Sequence, residues 1–204
     1  MSTPTTPQVP RMPTEDGDIW RLSVDRYEAM VLAGVITVND RVELLEGVMV
    51  NKMSKSPAHV TATLLIEDVL RQLVPSGWSV RTEQPIRLDD SEPEPDGVVA
   101  RGTSRTFAGR HPAPAEIPLV IEVADSSLRR DREDKRRIYA RNGITVYWIV
   151  NVVDRIVDVY TGPSGPTAIT PDYASLTTYR PGDTVPVVLA GTVVGNVKVD
   201  DLLP

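Results

Sequence analysis

Residues 117–139 read IPLVIEVADSSLRRDREDKRRIY. The run 117–124 is apolar, short and bounded by turn signals, which predicts a buried strand. Ser126 or Ser127 then caps a helix that Gly143 ends, and TVYWIVN opens another strand. Strand, helix and strand in this order predict a parallel crossover within one α/β sheet. Glu122 interrupts the first strand. An ionised carboxylate in an apolar run is costly unless it is paired, so the stretch also asks what pairs with Glu122.

The helix offers a partner. At about 100° per residue, Leu128, Asp131, Arg132, Ile138, Tyr139 and Asn142 fall within about 60° of Lys135. The apolar members mark that face as inward, which puts Lys135 on the protein side. A plain (i, i+4) pair with Asp131 and a snorkelling stem is the bland explanation. A buried Glu122–Lys135 or Glu122–Arg bridge is the corresponding one for the acid, although such bridges add little stability. The opposite face carries Arg129, Arg130, Arg136, Arg137 and Arg141 against Glu133 and Asp134. It is either a solvated face or a phosphate-contacting one.

Outward from this core, Ser23 caps a helix that stops near Gly34. RVELLEGVMVNKM predicts two strands turning at Glu46-Gly47. SPAHVTATLLIEDVLRQLVPSG is the clearest helix, with Val60, Leu64, Val69, Leu70 and Leu73 at 3.6-residue spacing. WSVRTEQPIRLDD is extended, Gly97–Ala100 is a strand, and 101–116 is a Gly-, Pro- and Arg-rich loop. A hairpin turns at Val153-Asp154-Arg155, Tyr147 and Trp148 belong to its core, and short Val-rich strands follow. They would cover a sheet edge or pair across a homodimer.

The chain has 204 residues, 41% of them hydrophobic, enough for one sizeable core. The expected organisation is a disordered tail over 1–18, with four evenly spaced prolines, and a single domain over 19–204. No run is long enough to span a membrane, and neither a signal peptide nor an anchor is visible, so the expected compartment is the cytoplasm. With no cysteines and two histidines, thiolate zinc sites and multi-histidine sites are excluded. A metal site would have to use carboxylates and carbonyls, which favours Mg²⁺, Mn²⁺ or Ca²⁺. The net charge of −6 argues against a surface that grips nucleic acid throughout.

One constellation carries chemistry. Asp96 is held between Pro95 and Gly97 at the lip of a strand, a setting that is also an ordinary turn. Glu122 lies toward the carboxyl end of its strand, where α/β sheets collect functional groups. Asp96 and Glu122 on neighbouring strands can hold a hard cation, with the Val123 carbonyl as a third ligand. Lys135 beside it would orient water and stabilise a phosphorane-like transition state.

The chain resembles the Uma2 family of restriction-endonuclease-like proteins, within the PD-(D/E)XK nuclease superfamily. The resemblance rests on VELLEGVMVNKMS, SPAHV, EPDGVV, PLVIEVADSS, DREDKRRIYARNGITVYWIV and RIVDVY. It implies a restriction-endonuclease-like α/β fold, Asp96 as the motif Asp and Glu122 as the motif acid. The superfamily's lysine lies two residues after that acid, where this chain has Ala124, and Lys135 takes its place. The family's early acid matches Glu43, with Glu46 the neighbouring candidate. Tyr139, one turn beyond Lys135, would help set the lysine's position. His59 at its helix start would meet a phosphate or be a partly exposed residue near a cap.

The implied activity is a Mg²⁺- or Mn²⁺-dependent endonuclease hydrolysing DNA phosphodiester bonds. DNA is then the partner, contacted by Arg129, Arg130, Arg136 and Arg137, and no membrane is involved. The alternatives are a non-catalytic DNA- or partner-binding relative that keeps the fold, or a nucleotide phosphodiesterase.

Overall fold

The computed structural model of the protein describes residues 19–204. The expected tail over 1–18 lies outside the described residues.

Ser23 accepts a hydrogen bond from the Arg26 N–H and starts α1 (Val24–Leu32). Strands β1 (Val42–Leu45) and β2 (Val48–Asn51) form an antiparallel hairpin. Its turn uses Glu46 and Gly47 at φ of 48° and 76°. A Cβ on Gly47 would lie 2.7 Å from that of Arg21, so the turn needs glycine twice over. Helix α2 (Pro57–Leu73) is capped by Ser56, with Pro57 at its first position.

Strand β3 (Trp78–Arg81) is followed by an irregular passage, so only the first four residues of WSVRTEQPIRLDD are strand. Then come β4 (Gly97–Arg101), β5 (Leu119–Ala124), helix α3 over 128–141, β6 (Val146–Asn151), β7 (Ile156–Pro163) and β8 (Tyr173–Tyr179). These six strands form one sheet in the order β3-β4-β5-β6-β7-β8. Strands β5 and β6 pair in parallel with Glu122 opposite Ile149, and the other neighbours are antiparallel. The crossover through α3 is thus the one expected from residues 117–152. Strands β9 (Thr184–Leu189) and β10 (Thr192–Lys198) make a separate hairpin.

The sheet separates two cores. Leu119, Ile121 and Val123 of β5 join Trp148 of β6, with α2 and the β9–β10 hairpin packed over them. Val120 and Ala124 face the other way, against Ile138 and Tyr139 of α3 and the aromatic group Tyr147, Tyr160 and Tyr173. Trp148 is fully buried, and its indole N–H has no partner among the described residues.

Two expectations are corrected. The buried face of α2 is Ala62, Ile66 and Leu70 with His59 and Thr63, whereas Val60 and Leu64 are exposed. The apolar residues at 3.6-residue spacing therefore divide between two faces of the helix: Leu70 is buried and Val69 and Leu73 pack against the core, while Val60 and Leu64 lie outside it. The C-terminal Val-rich strands do not cover a sheet edge either. Val185, Val187 and Val197 are buried in the core on one sheet face, and Gly195 lies against Leu73. The sheet's edges are β3 and β8.

Candidate functional site

Strand β4 begins where antiparallel β5 approaches its end, so Asp96 and the last turns of β5 meet at one lip of the sheet. The Asp96 carboxylate accepts from the Val123 N–H at 2.8 Å through Oδ2. Its Oδ1 lies 2.9 Å from His59 Nε2 and 3.2 Å from Lys55 Nζ. Burial alone would raise this carboxyl, but His59, Lys135 and Lys55 hold it below the usual range. A residue's N–H and C=O point to the same edge of its strand, so the Val123 carbonyl shares the Asp96 side.

Glu122 shares its face of the sheet with Val120 and Ala124, toward α3. Its Oε1 accepts from Lys135 Nζ at 2.9 Å and from the Tyr139 hydroxyl at 2.6 Å. Its Oε2 has no hydrogen-bond partner among the described residues. Burial pushes the Glu122 carboxyl up to about 8, with Lys135 opposing and Asp131 and Asp96 adding to the rise. Burial would discharge Lys135, but Glu122, Glu43, Asp131 and Asp96 hold its ammonium charged. Glu43 of β1 stands 3.8 Å from Lys135 and accepts from the Glu94 N–H at 3.1 Å.

A widened turn in α3 presents the lysine. The segment Asp131–Lys135 is π-helical between α-helical Leu128–Arg130 and Arg136–Arg141. Such turns insert a residue without ending the helix and recur at functional sites. Both Asp131 and Lys135 are buried, yet they do not form the expected (i, i+4) bridge. Asp131 accepts from the Ser127 hydroxyl at 2.5 Å, and burial raises its carboxyl to about 6.

Asp96, Glu122, Lys135, Glu43, His59 and Lys55 line a single cavity of about 750 Å³. Glu46 does not face it. Its carboxylate pairs with Arg137 at 2.7 Å and with Arg141 at 3.1 Å. The rest of the basic face is also engaged. Arg129 pairs with Glu133 at 2.9 Å, Arg130 donates to the Asn51 carbonyl at 2.8 Å, and Arg136 lies 3.3 Å from Asp172.

Lys55 was not found from sequence. It precedes α2 on an irregular connection and reaches Glu83 at 2.8 Å, so no periodicity points to it. Lysine two residues before a Pro-initiated helix was the only signal. Among the described residues no three His, Asp or Glu side chains form a ready-made metal cage. Mg²⁺ keeps several waters and takes one or two protein carboxylates, so the free Glu122 oxygen with Asp96 is a donor set of the right kind.

The model of the Uma2 family, described as "Putative restriction endonuclease", matches residues 24–194. The crystal structure of a protein from Anabaena variabilis, described as "a putative nuclease belonging to DUF820", is similar with a TM-score of 0.68 and 15% sequence identity. The match covers 89% of this chain and 97% of that one. At that identity the likeness is one of fold. No curated protein matches the chain. Among the described residues no helix is long and apolar enough to cross a membrane.

Proposed function

The chain belongs to the Uma2 family, and from that premise we propose that it is a divalent-metal-dependent nuclease that hydrolyses DNA phosphodiester bonds. The observation that carries the proposal is the convergence of Asp96, Glu122 and a buried, charged Lys135 on one cavity. Nothing in the stability of a fold requires that arrangement, because buried ion pairs contribute little net stability.

Asp96, Glu122 and the Val123 carbonyl would hold Mg²⁺ or Mn²⁺, with Glu43 next to them. The bound ion would act as a Lewis acid toward the phosphoryl oxygens. The protein's own groups do the rest. The Val123 N–H and His59 fix the Asp96 carboxylate. The Tyr139 hydroxyl fixes Glu122. Lys135 keeps its proton, so it serves as a hydrogen-bond donor and fixed positive charge toward water and phosphate, not as a base.

The test uses circular single-stranded and supercoiled double-stranded DNA with Mg²⁺ or Mn²⁺. Cleavage by the native protein should fall at least about 100-fold in Asp96→Asn, Glu122→Gln and Lys135→Met, with circular dichroism confirming the fold. Cleavage that persists in all three variants rejects the assignment.

One observation favours a second reading, a fold-retaining relative without catalysis. Asp96 and Glu122 already have protein cations beside them in Lys55 and Lys135. Calorimetry separates the two. No Mn²⁺ binding by the native protein at millimolar concentration selects the non-catalytic reading.

A further inference from the structure

The cavity is larger than the acid and lysine cluster needs. From Asp96 and Glu122 it continues to Val31 and Gly34 at the end of α1, to Ile36 and Val38 in the loop that follows, and to Met53 on the 52–56 connection. One end is lined by carboxylates and ammonium groups and the other mainly by apolar side chains. Three of the apolar ones are unusually open for their type: Val31 is 45% exposed, Val38 92% and Met53 42%. The total of about 750 Å³ lies in the range of pockets that enclose small ligands.

We infer that this apolar end receives the base of an unpaired nucleotide next to the scissile phosphate, so that the substrate is a single strand, not an intact duplex. The inference rests on the nuclease reading of the same site. A nucleotide has the polarity of the cavity, a charged phosphate joined to a base whose flat faces can rest between apolar side chains. A base inside a duplex is stacked and paired and cannot enter such a pocket without being extruded.

The surface agrees. Duplex binding draws on cations free to meet two phosphate backbones. Here Arg130, Arg136, Arg137 and Arg141 of α3 have partners within the chain, and Arg129, in an exposed pair with Glu133, is the one that stays largely open. The cations that line the cavity are mostly paired as well: Lys135 with Glu122, Lys52 with Glu94, and Arg130 with the Asn51 carbonyl. Lys55 is about one-third exposed, and Arg41 reaches the Met53 carbonyl only at 3.5 Å. A strand threaded past the cavity needs few such contacts.

The experiment compares three fluorescein-labelled 12-mers with Mn²⁺: single-stranded oligothymidine, the same strand in a blunt duplex, and a single strand of stable abasic residues. Anisotropy without divalent metal gives binding, and gel analysis gives cleavage. The native protein should bind and cut the oligothymidine at least about tenfold better than the duplex or the abasic strand. Val31→Trp, which fills the pocket, and Val38→Asp, which makes its mouth polar, should each lower the thymidine-to-abasic ratio at least about tenfold. Equal handling of thymidine and abasic strands, or no change in that ratio in both variants, overturns the pocket. Base-dependent binding with no cleavage of any strand keeps the pocket and rejects the nuclease. Base-independent cleavage does the reverse.

Discussion

At the scale of single residues, Glu122 and Lys135 form a unit, and Tyr139 completes it. Removing one member leaves its partner's polar group buried and unmatched, which costs more than removing both. Lys135→Met should therefore destabilise the protein by about 3 kcal/mol or more, and adding Glu122→Gln should recover part of that loss. Denaturant titration of the two single variants and the double variant measures it, and strictly additive effects would show that the pair is not coupled. Glu122 itself was legible as an acid where a strand should be dry, and Lys135 as a cation on an inward face. The choice between Glu43 and Glu46 was not. It depends on which side of the hairpin meets α3, and Arg137 and Arg141 draw Glu46 to theirs. The partners of Asp96 were also hidden, since His59 and Lys55 reach it from a helix start and a loop whose path no local pattern records.

At the scale of elements, the π-helical turn Asp131–Lys135 sets the phase of α3. It lets the Asp131 carbonyl accept from the buried Tyr147 hydroxyl at 3.1 Å and turns Asp131 to Ser127, not to Lys135. Deleting the exposed Glu133 should close the widened turn to an unbroken α-helix with its two flanks still in register, and so change which side chains of 131–135 are presented to the sheet. Cleavage should be lost while helical circular dichroism is kept, whereas Glu133→Ala, at the surface, should stay within about 0.5 kcal/mol of native. A deletion variant that cleaves normally would show that the turn has no part in presenting the lysine. A 3.6-residue periodicity assumes a regular helix, so an inserted residue cannot be seen in it. Helix α2 makes a related point. Val60 and Leu64 advertise an apolar face, yet the smaller Ala62 and Thr63 flank Ile66 and Leu70 in the core. Ile66→Ala should cost about 2–5 kcal/mol, and Leu64→Lys about 0.5 kcal/mol or less. Thermal unfolding distinguishes them, and equal losses would contradict the assigned face.

At the scale of the whole molecule, the crossover between β5 and β6 was legible because strand, cap, helix and glycine stop follow one another in the sequence. The packing of the β9–β10 hairpin on a sheet face was not, since valines suit an edge, an interface or a core equally. Global stability should carry the mark of another buried acid, Glu92. Its Oε2 has no partner among the described residues, while Glu28, Glu94, Arg87 and His111 surround it. Burial, then Glu28, raises its carboxyl from an ordinary 4.5 to about 7. The folded state therefore holds this proton more tightly than the unfolded chain. The associated stability is complete below about pH 4.5 and is lost as pH rises through about 7. Glu92→Gln should flatten that part of the profile and be about 1–3 kcal/mol more stable than native at pH 8. An unchanged profile by urea titration would contradict the shift.

The buried indole of Trp148 has a practical consequence. It stands opposite Ile121 in the β5–β6 register, one residue along from Glu122, and is closed to solvent, whereas Trp20 is 70% exposed. A soluble quencher such as acrylamide should extinguish the emission of Trp20 and leave that of Trp148, blue-shifted by its dry surroundings. Trp78 of β3 is half-buried against the same core, so in a Trp78→Phe background the remaining light comes from the strand beside the acid. Any variant at Glu122 thus carries its own optical record of whether the sheet beneath it is intact, read in the same cuvette as its activity.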